Sequence, residues 1–287
     1  MERITLTTKP QKDYELVDSG GEEKLERFGS VLLSRPDPQA LWPKGAEEGE
    51  WAKAQGRYTR EGTNGRWVGD VPKEWPVEFG GLKFVIKPTS FKHTGLFPEQ
   101  LSNWEWAGEL ITGTGRPVSV LNLFGYTGGA TLAAAAAGAS VVHVDASKTA
   151  VAWARENAAL SELADKPVRW ITEDVRVFVE REVKRGNKYD LILMDPPAFG
   201  HGPKDELWKI EEHLLPLIEL CVQLLSDNPL GMLINGYAAG YSPLAFAYNL
   251  EPVVKKMGGR IEYGDLTIEE KGSGRLLPCG IFARWKK

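Results

Sequence analysis

The feature that most constrains this chain is a change of period at Val118. From there the short apolar runs VSVLNLF, ASVVHVD, PVRWIT, YDLILMD and GMLIN alternate with the helical stretches TLAAAAA, AVAWARENAAL, VFVEREV and WKIEEHLLPLIELCVQLL. Each apolar run is too short for a buried helix and reads as a strand covered on both faces. Strands that alternate with helices need crossover connections, which predicts βαβ units and a mostly parallel, doubly wound sheet. The tail then offers RIEYGDL and GIFARW with no convincing helix between them, which predicts an antiparallel pair closing one edge.

Upstream the composition differs. Trp42, Trp51, Trp67 and Trp75 sit among glycine, proline and charge, with short alternating pieces such as GSVLLSRPD and LKFVIKP. Residues 1–88 therefore read as a small β-rich N-terminal subdomain and 89–287 as the larger α/β domain. Indoles at this spacing fill a small core more readily than they stack on bases, because each buries so much area. The alanine run 133–137 predicts a helix packed close to the sheet.

Charge and cysteine usage exclude several classes. With 35 Lys+Arg against 39 Asp+Glu, no global field draws the chain to nucleic acid or an anionic membrane. Any RNA partner must be met through a local patch. Cys221 and Cys279 are far apart and neither belongs to a C-x-x-C pair, which argues against a disulfide framework or a zinc site and predicts buried thiols in a reducing compartment. His93, His143, His201 and His213 share no metal-ligand spacing, so no metal is expected; His143, inside a strand, reads as core. The segment MERITLTTKPQKDYELV lacks an apolar core of signal-peptide type, and no run suits a bilayer, so the expected location is cytoplasmic, with no membrane partner. Oligomeric state leaves no mark in the sequence.

Ligands of open α/β sheets bind beyond the carboxyl ends of the strands. The first strand ends in Asn122, Leu123 and Phe124, followed by Gly125, Tyr126, Thr127, Gly128 and Gly129 before the alanine helix. Such glycines let backbone approach a ligand in a tight turn, and the helix start offers free N–H groups. No G-x-x-x-x-G-K-[ST] motif occurs, which argues against a P-loop. The second strand ends in Asp145, twenty residues after Gly125, the separation expected of an acid that accepts from a ribose diol. That spacing fits NAD and S-adenosylmethionine alike; a loop reading G-x-x-G-G instead of G-x-G-x-x-G counts against NAD. The third strand ends in Glu173 and Asp174, where an acid can accept from an adenine amino group or cap the following helix.

The fourth strand runs into Asp195, Pro196, Pro197 and Phe199. Proline fixes φ and removes donors, so this is a stiff corner with fixed acceptors, and Phe199 can lie against a flat ring. The stretch reads as a clamp for a planar NH2 group whose nitrogen faces a methyl donor.

Taken in order and spacing, LNLFGYTGGATLAAA, VDASKTAVAWARENAAL, EDVRVFV and MDPPAF resemble the Rossmann-like class I S-adenosylmethionine-dependent methyltransferases. The similarity is greatest to the bacterial large-subunit rRNA methyltransferase family, which includes cytosine-C5 and guanine-N7 or N2 enzymes. FKHTGLFPEQ, residues 91–100, is similar to a segment of that family written around K-T-G-x-F-x-x-Q. The resemblance covers 91–287. It implies that Phe124, Gly125 and Tyr126 line S-adenosylmethionine, that Asp145 holds its ribose, and that Asp174 reaches the adenine. The neighbouring Asn122, Thr127, Ala146, Ser147 and Val175 are placed with them. Asp195, Pro196, Pro197 and Phe199 face the substrate, with Asp195 also beside the cofactor. Thr94 and Gln100 lie against the methionine end or the target. Lys204 meets a phosphate or is simply solvated.

Two departures shape the expected function. Cytosine-C5 relatives carry a cysteine near the end of the fifth strand, where this chain has Asn235, Gly236 and Tyr237. Carbon methylation without that nucleophile would be hard, so a nitrogen target is favoured. Longer relatives begin with a recognisable RNA-binding domain, which residues 1–88 do not resemble. The expected activity is methylation of a nucleobase in rRNA or a ribosomal particle. The rivals are a small-molecule or protein-amide methyltransferase and a non-catalytic RNA-binding factor on the same fold.

Overall fold

The computed structural model describes residues 1–61, 64–237 and 240–287. They form two compact units: Met1–Leu6, Ser102–Asp265 and Gly280–Lys287 make the first, Thr7–Leu101 and Leu266–Cys279 the second.

The chain opens with β1 (Glu2–Thr8) and continues into the sheet of the second unit, β2 (Tyr14–Gly20), β3 (Glu23–Phe28), β4 (Val31–Pro36), β5 (Gly56–Glu61) and β6 (Asn64–Gly69), ordered as in the chain. The short helix α1 (Glu48–Trp51) precedes β5, and β7 (Trp75–Phe79) and β8 (Leu82–Ile86) form a separate hairpin. A small unit has little apolar interior, and the indoles named above serve it with both ring and N–H. Trp51 donates to the buried Asp18 carboxylate (2.8 Å), while Trp42, Trp67 and Trp75 donate to the carbonyls of Ser19, Thr89 and Phe28 (2.9 Å each). Buried Glu26 accepts from the Tyr14 hydroxyl and the Arg35 guanidinium, both at 2.8 Å.

Next come α2 (Leu101–Gly113), β9 (Ser119–Leu123), α3 (Gly129–Ala136), β10 (Ser140–Asp145), α4 (Lys148–Leu160), β11 (Val168–Thr172), α5 (Val175–Arg185) and β12 (Leu191–Met194). A small hairpin, β13 (Phe199–His201) and β14 (Leu207–Lys209), leads to α6 (Ile210–Leu224), β15 (Gly231–Gly236), α7 (Pro243–Met257), β16 (Arg260–Glu269) and β17 (Leu276–Lys286). Eight strands share one sheet in the order β1-β16-β17-β15-β12-β9-β10-β11. The pairs among β15, β12, β9, β10 and β11 are parallel, and β17 lies antiparallel to β15. The antiparallel strand foreseen in the tail is thus present, and β1 adds a strand outside β16.

Alternation along β9 shows why both faces are covered. Leu121 and Leu123 join Phe178 and Val179 of α5, Leu217 and Ile218 of α6 and Phe246 and Leu250 of α7 in one buried cluster. Asn122, between them, points the other way and hydrogen-bonds Thr131 of α3 (2.8 Å). Each fully buried aliphatic side chain in that cluster contributes roughly 1.5–3 kcal/mol. From β9 the chain winds outward through β10 and β11, then returns to β12 on the opposite side. That reversal makes the carboxyl ends of β9 and β12 the switch point at which open α/β sheets form their ligand crevice.

Candidate functional site

The turn after β9 is built from unfavourable backbone. Phe124 (φ 57°) and Tyr126 (φ 48°) both occupy the left-handed region without being glycine, and Gly128 (φ 89°) follows. Such residues persist only where their surroundings over-determine them, and they cluster at functional sites. Here the constraint is visible. The Gly125 N–H donates to the Val144 carbonyl (3.0 Å), the Gly128 N–H to the Gly125 carbonyl (3.0 Å), and buried Asn157 of α4 donates to the Thr127 carbonyl (2.9 Å). Gly128 fits the tight-turn role read from the sequence. Gly125 and Gly129 have another cause: a Cβ on Gly125 would lie 2.5 Å from the His143 ring, and one on Gly129 2.2 Å from the Trp104 ring. Space below the turn, as well as any ligand above it, requires glycine.

His143 is fully buried on β10, as a core histidine should be. Its Nδ1 shares a 2.8 Å hydrogen bond with the Thr131 hydroxyl, which also accepts from Asn122 Nδ2. Burial pushes the imidazole down to about 3, leaving it neutral.

Asp145 ends β10 half-buried. Its Oδ2 accepts the Tyr126 N–H and its Oδ1 the Ser147 N–H, both at 2.8 Å, so one carboxylate pins the turn and the start of α4. Burial raises this carboxyl, opposed by those two backbone bonds. Each oxygen keeps acceptor capacity for a diol. Ser147 caps α4 by accepting from the Ala150 N–H (3.2 Å). At the end of β11, Asp174 caps α5, accepting from the N–H groups of Arg176 (2.8 Å) and Val177 (3.3 Å). The Arg176 guanidinium also forks onto it, Nε at 3.1 Å and Nη2 at 2.9 Å. Burial pushes Asp174 up, yet Arg176 and the capped N–H groups hold it below the usual carboxylate range. Of the two roles read for this acid, the cap is the one the structure contains; Val175 beside it is buried.

The acidic corner leaves the sheet at the crevice, the Asp195 N–H donating to the Leu123 carbonyl (3.3 Å). Asp195 is half-buried, Pro196 buried and Pro197 exposed, while the Phe199 side chain is 58% exposed and turned outward. The β13–β14 hairpin pairs Phe199 with Lys209 and His201 with Leu207, and puts Trp208 on its inner face. Trp208 donates to the Pro197 carbonyl (2.7 Å) and packs edge-on against Phe124 (4.9 Å), coupling the acidic corner to the glycine turn. The Pro197 carbonyl thus already accepts one hydrogen bond, from within the chain, and keeps one lone pair. The hairpin also passes over the start of α5: a Cβ on Gly202 would lie 3.1 Å from Asp174 Oδ2. Sequence reasoning missed it, starting a helix at Trp208 where the helix begins at Ile210. Exposed Lys204 is at its tip.

At the end of β15, buried Asn235 accepts from Asn103 Nδ2 (2.9 Å). The strand end carries no thiol; Cys221 is buried in α6 and Cys279 only half-buried in β17. Thr94 and Gln100 are buried residues of the second unit. Every other sequence-derived site residue sits at or beside the carboxyl ends of β9, β10, β11 and β12. Among the described residues no group of three or more His, Cys, Asp or Glu side chains is placed to hold a metal ion, and no helix is long and apolar enough to cross a membrane.

Comparison with known proteins adds the following. The model of the S-adenosylmethionine-dependent methyltransferase family matches residues 37–234. Ribosomal RNA large subunit methyltransferase K/L of Shewanella sp. strain MR-4 is 34% identical over 211 residues, 70% of this chain; the chain spans only 28% of that relative. A SAM-dependent methyltransferase from Agrobacterium tumefaciens has a crystal structure that is 39% identical, covers 99% of this chain and 95% of its own, and superposes with a TM-score of 0.95. SMU.776, a methyltransferase-fold protein crystallised with SAH, shares the fold at 20% identity and a TM-score of 0.73, over 96% of this chain and 76% of its own.

Proposed function

The chain belongs to the S-adenosylmethionine-dependent methyltransferase family, and we propose that the acceptor of its methyl group is a nitrogen of a nucleobase in ribosomal RNA. The acceptor class draws its support from the rRNA methyltransferase of Shewanella. The observation that carries the reading is the outward Phe199, 58% exposed, two residues beyond the rigid Asp195-Pro196-Pro197 corner at the crevice. An aromatic face in solvent beside a fixed carboxylate suits a flat, unstacked base with an amino edge.

The residues present fit the cofactor. The left-handed turn at Phe124 and Tyr126 and the acceptor capacity left on Asp145 are what a sulfonium nucleoside requires at a strand-end crevice. In this reading Phe124, Gly125 and Tyr126 line it with Asn122 and Thr127 behind them, Asp145 takes the ribose hydroxyls, Ala146 and Ser147 border the ribose, and Asp174 with Val175 borders the adenine. Bound S-adenosylmethionine supplies an electrophilic methyl group. The chain's own part is positioning. Asp195 accepts a hydrogen of the acceptor amine, Pro196 keeps the carboxylate from swinging, and Phe199 covers the base. Orientation of this kind is worth roughly 7–11 kcal/mol, so no strong base is needed. Asn235 at the position where carbon-methylating relatives keep a thiol also favours nitrogen.

Incorporation of labelled methyl into protein-free large-subunit rRNA tests this directly. Asp195→Ala is expected to lower turnover by about 100-fold or more while leaving S-adenosylhomocysteine affinity close to wild type. Equal loss of both refutes the role given to Asp195. Label entering lysate proteins or metabolites in place of RNA favours the amide or small-molecule acceptor.

A further inference from the structure

One loop of the second unit is held firmly although it displays an apolar side chain to water. Residues 89–93 close on themselves: the Thr89 N–H donates to the His93 carbonyl (2.9 Å), the Lys92 N–H to the Thr89 carbonyl (3.3 Å), and the Phe91 N–H to the Thr89 hydroxyl (3.3 Å). The β5–β6 pair fastens it, with the Tyr58 hydroxyl on the Ser90 carbonyl (2.6 Å) and the Trp67 indole on the Thr89 carbonyl (2.9 Å). On this frame Phe91 is 75% exposed, and Lys92 adopts a left-handed φ of 65°.

The loop also lies among cations that the unit does not fully neutralise. Lys24 is 3.3 Å from Asp37, and Arg35 is bonded to Glu26, so those charges are offset. Lys92 donates to the Pro36 carbonyl (3.2 Å), and among the described residues neither it nor exposed Arg60 is in an ion pair closer than 4.0 Å, although Asp37 acts on Lys92 from farther off. Burial lowers the Lys92 ammonium, and Lys24, Arg35 and Arg60 lower it further against the pull of Asp37, so the crowding of positive charge is felt at the loop itself. A chain of net charge −4 cannot hold a polyanion by its overall field and needs such a local concentration.

We infer that the 89–93 loop with Arg60 is an RNA-docking surface, Phe91 stacking on an unpaired base while Arg60 and Lys92 meet the flanking phosphates. The inference rests on the RNA reading given above. Base–aromatic stacking and phosphate contacts leave different signatures. Removing a stacking ring lowers affinity at every salt concentration; removing a phosphate contact also flattens the salt dependence.

The test is binding of the full chain to protein-free large-subunit rRNA across a salt series, with S-adenosylhomocysteine affinity as the control for folding. Phe91→Ala is expected to weaken RNA binding by about 5- to 150-fold with an unchanged salt slope. Arg60→Ala should reduce the slope of log affinity against log salt by about 0.7 to 0.9. Both variants should bind S-adenosylhomocysteine as wild type does. If wild type binds the RNA and both variants match it in affinity and slope, the docking surface is wrong while the RNA reading stands. If wild type neither binds nor methylates RNA, the reading fails and the docking surface with it.

Discussion

Gly125 needs no left-handed backbone, yet a Cβ there would lie 2.5 Å from a neutral, fully buried imidazole that cannot move aside. Gly125→Ala should therefore destabilise the fold by about 1–3 kcal/mol, the usual cost of overpacking, and weaken S-adenosylhomocysteine binding because the Phe124–Tyr126 turn shifts. His143→Ala combined with it should recover part of the loss, a coupling of about 0.5 kcal/mol or more in a double-mutant cycle followed by thermal melting. Strict additivity would show that the ring does not hold the turn. That a turn was present could be read from G-x-x-G-G. Why two of its glycines are glycine could not, because His143 and Trp104 reach them only through the tertiary fold. The same holds for Asp145: its spacing raised the expectation of a ribose acceptor, but its grip on Tyr126 and Ser147 is a matter of geometry.

At the scale of elements, the strands of the parallel core and the helices α3 to α6 were legible because buried runs and 3.6-residue periods announce themselves. The β13–β14 hairpin was not, since three-residue strands carry no period and the pair exists to place Trp208 beneath the Pro197 carbonyl. The helices α2 and α7 also escaped, although Ser242 followed by Pro243 is a start signal and the Ser242 hydroxyl does accept from the Leu244 N–H (3.2 Å). One element-level prediction concerns α5. Asp174→Ala removes both the cap and the Arg176 pair and should cost about 0.5–2 kcal/mol in chemical denaturation, whereas Asp174→Asn should retain most of the cap. An alanine variant as stable as wild type would mean the helix start is held by something else.

Over the whole molecule, pH response should expose the buried ionisable groups. Burial raises the Glu99 carboxyl of the second unit from 4.5 to about 7, with Lys24 opposing. Between those values the folded chain keeps a proton that the unfolded chain has released. Stability from this group is thus fully present below pH 4.5 and is lost as pH rises through 7. His143 acts in the opposite direction: with its folded value near 3 against 6.5, stability falls as pH drops below 6.5. Glu99→Gln should flatten the alkaline-side loss, worth roughly 3 kcal/mol, when urea midpoints are compared at about pH 5 and about pH 8. An unchanged pH profile would show that Glu99 titrates normally.

The atom that receives the methyl group decides between the nitrogen acceptor and its rivals. After incubation of the full chain with protein-free large-subunit rRNA and isotope-labelled S-adenosylmethionine, the RNA is digested to nucleosides and analysed by mass spectrometry. The result expected is a labelled methyl group on a base nitrogen, absent when Asp195→Ala replaces the wild type. Label on a base carbon or a ribose oxygen, or none in RNA while another acceptor is methylated, would contradict it.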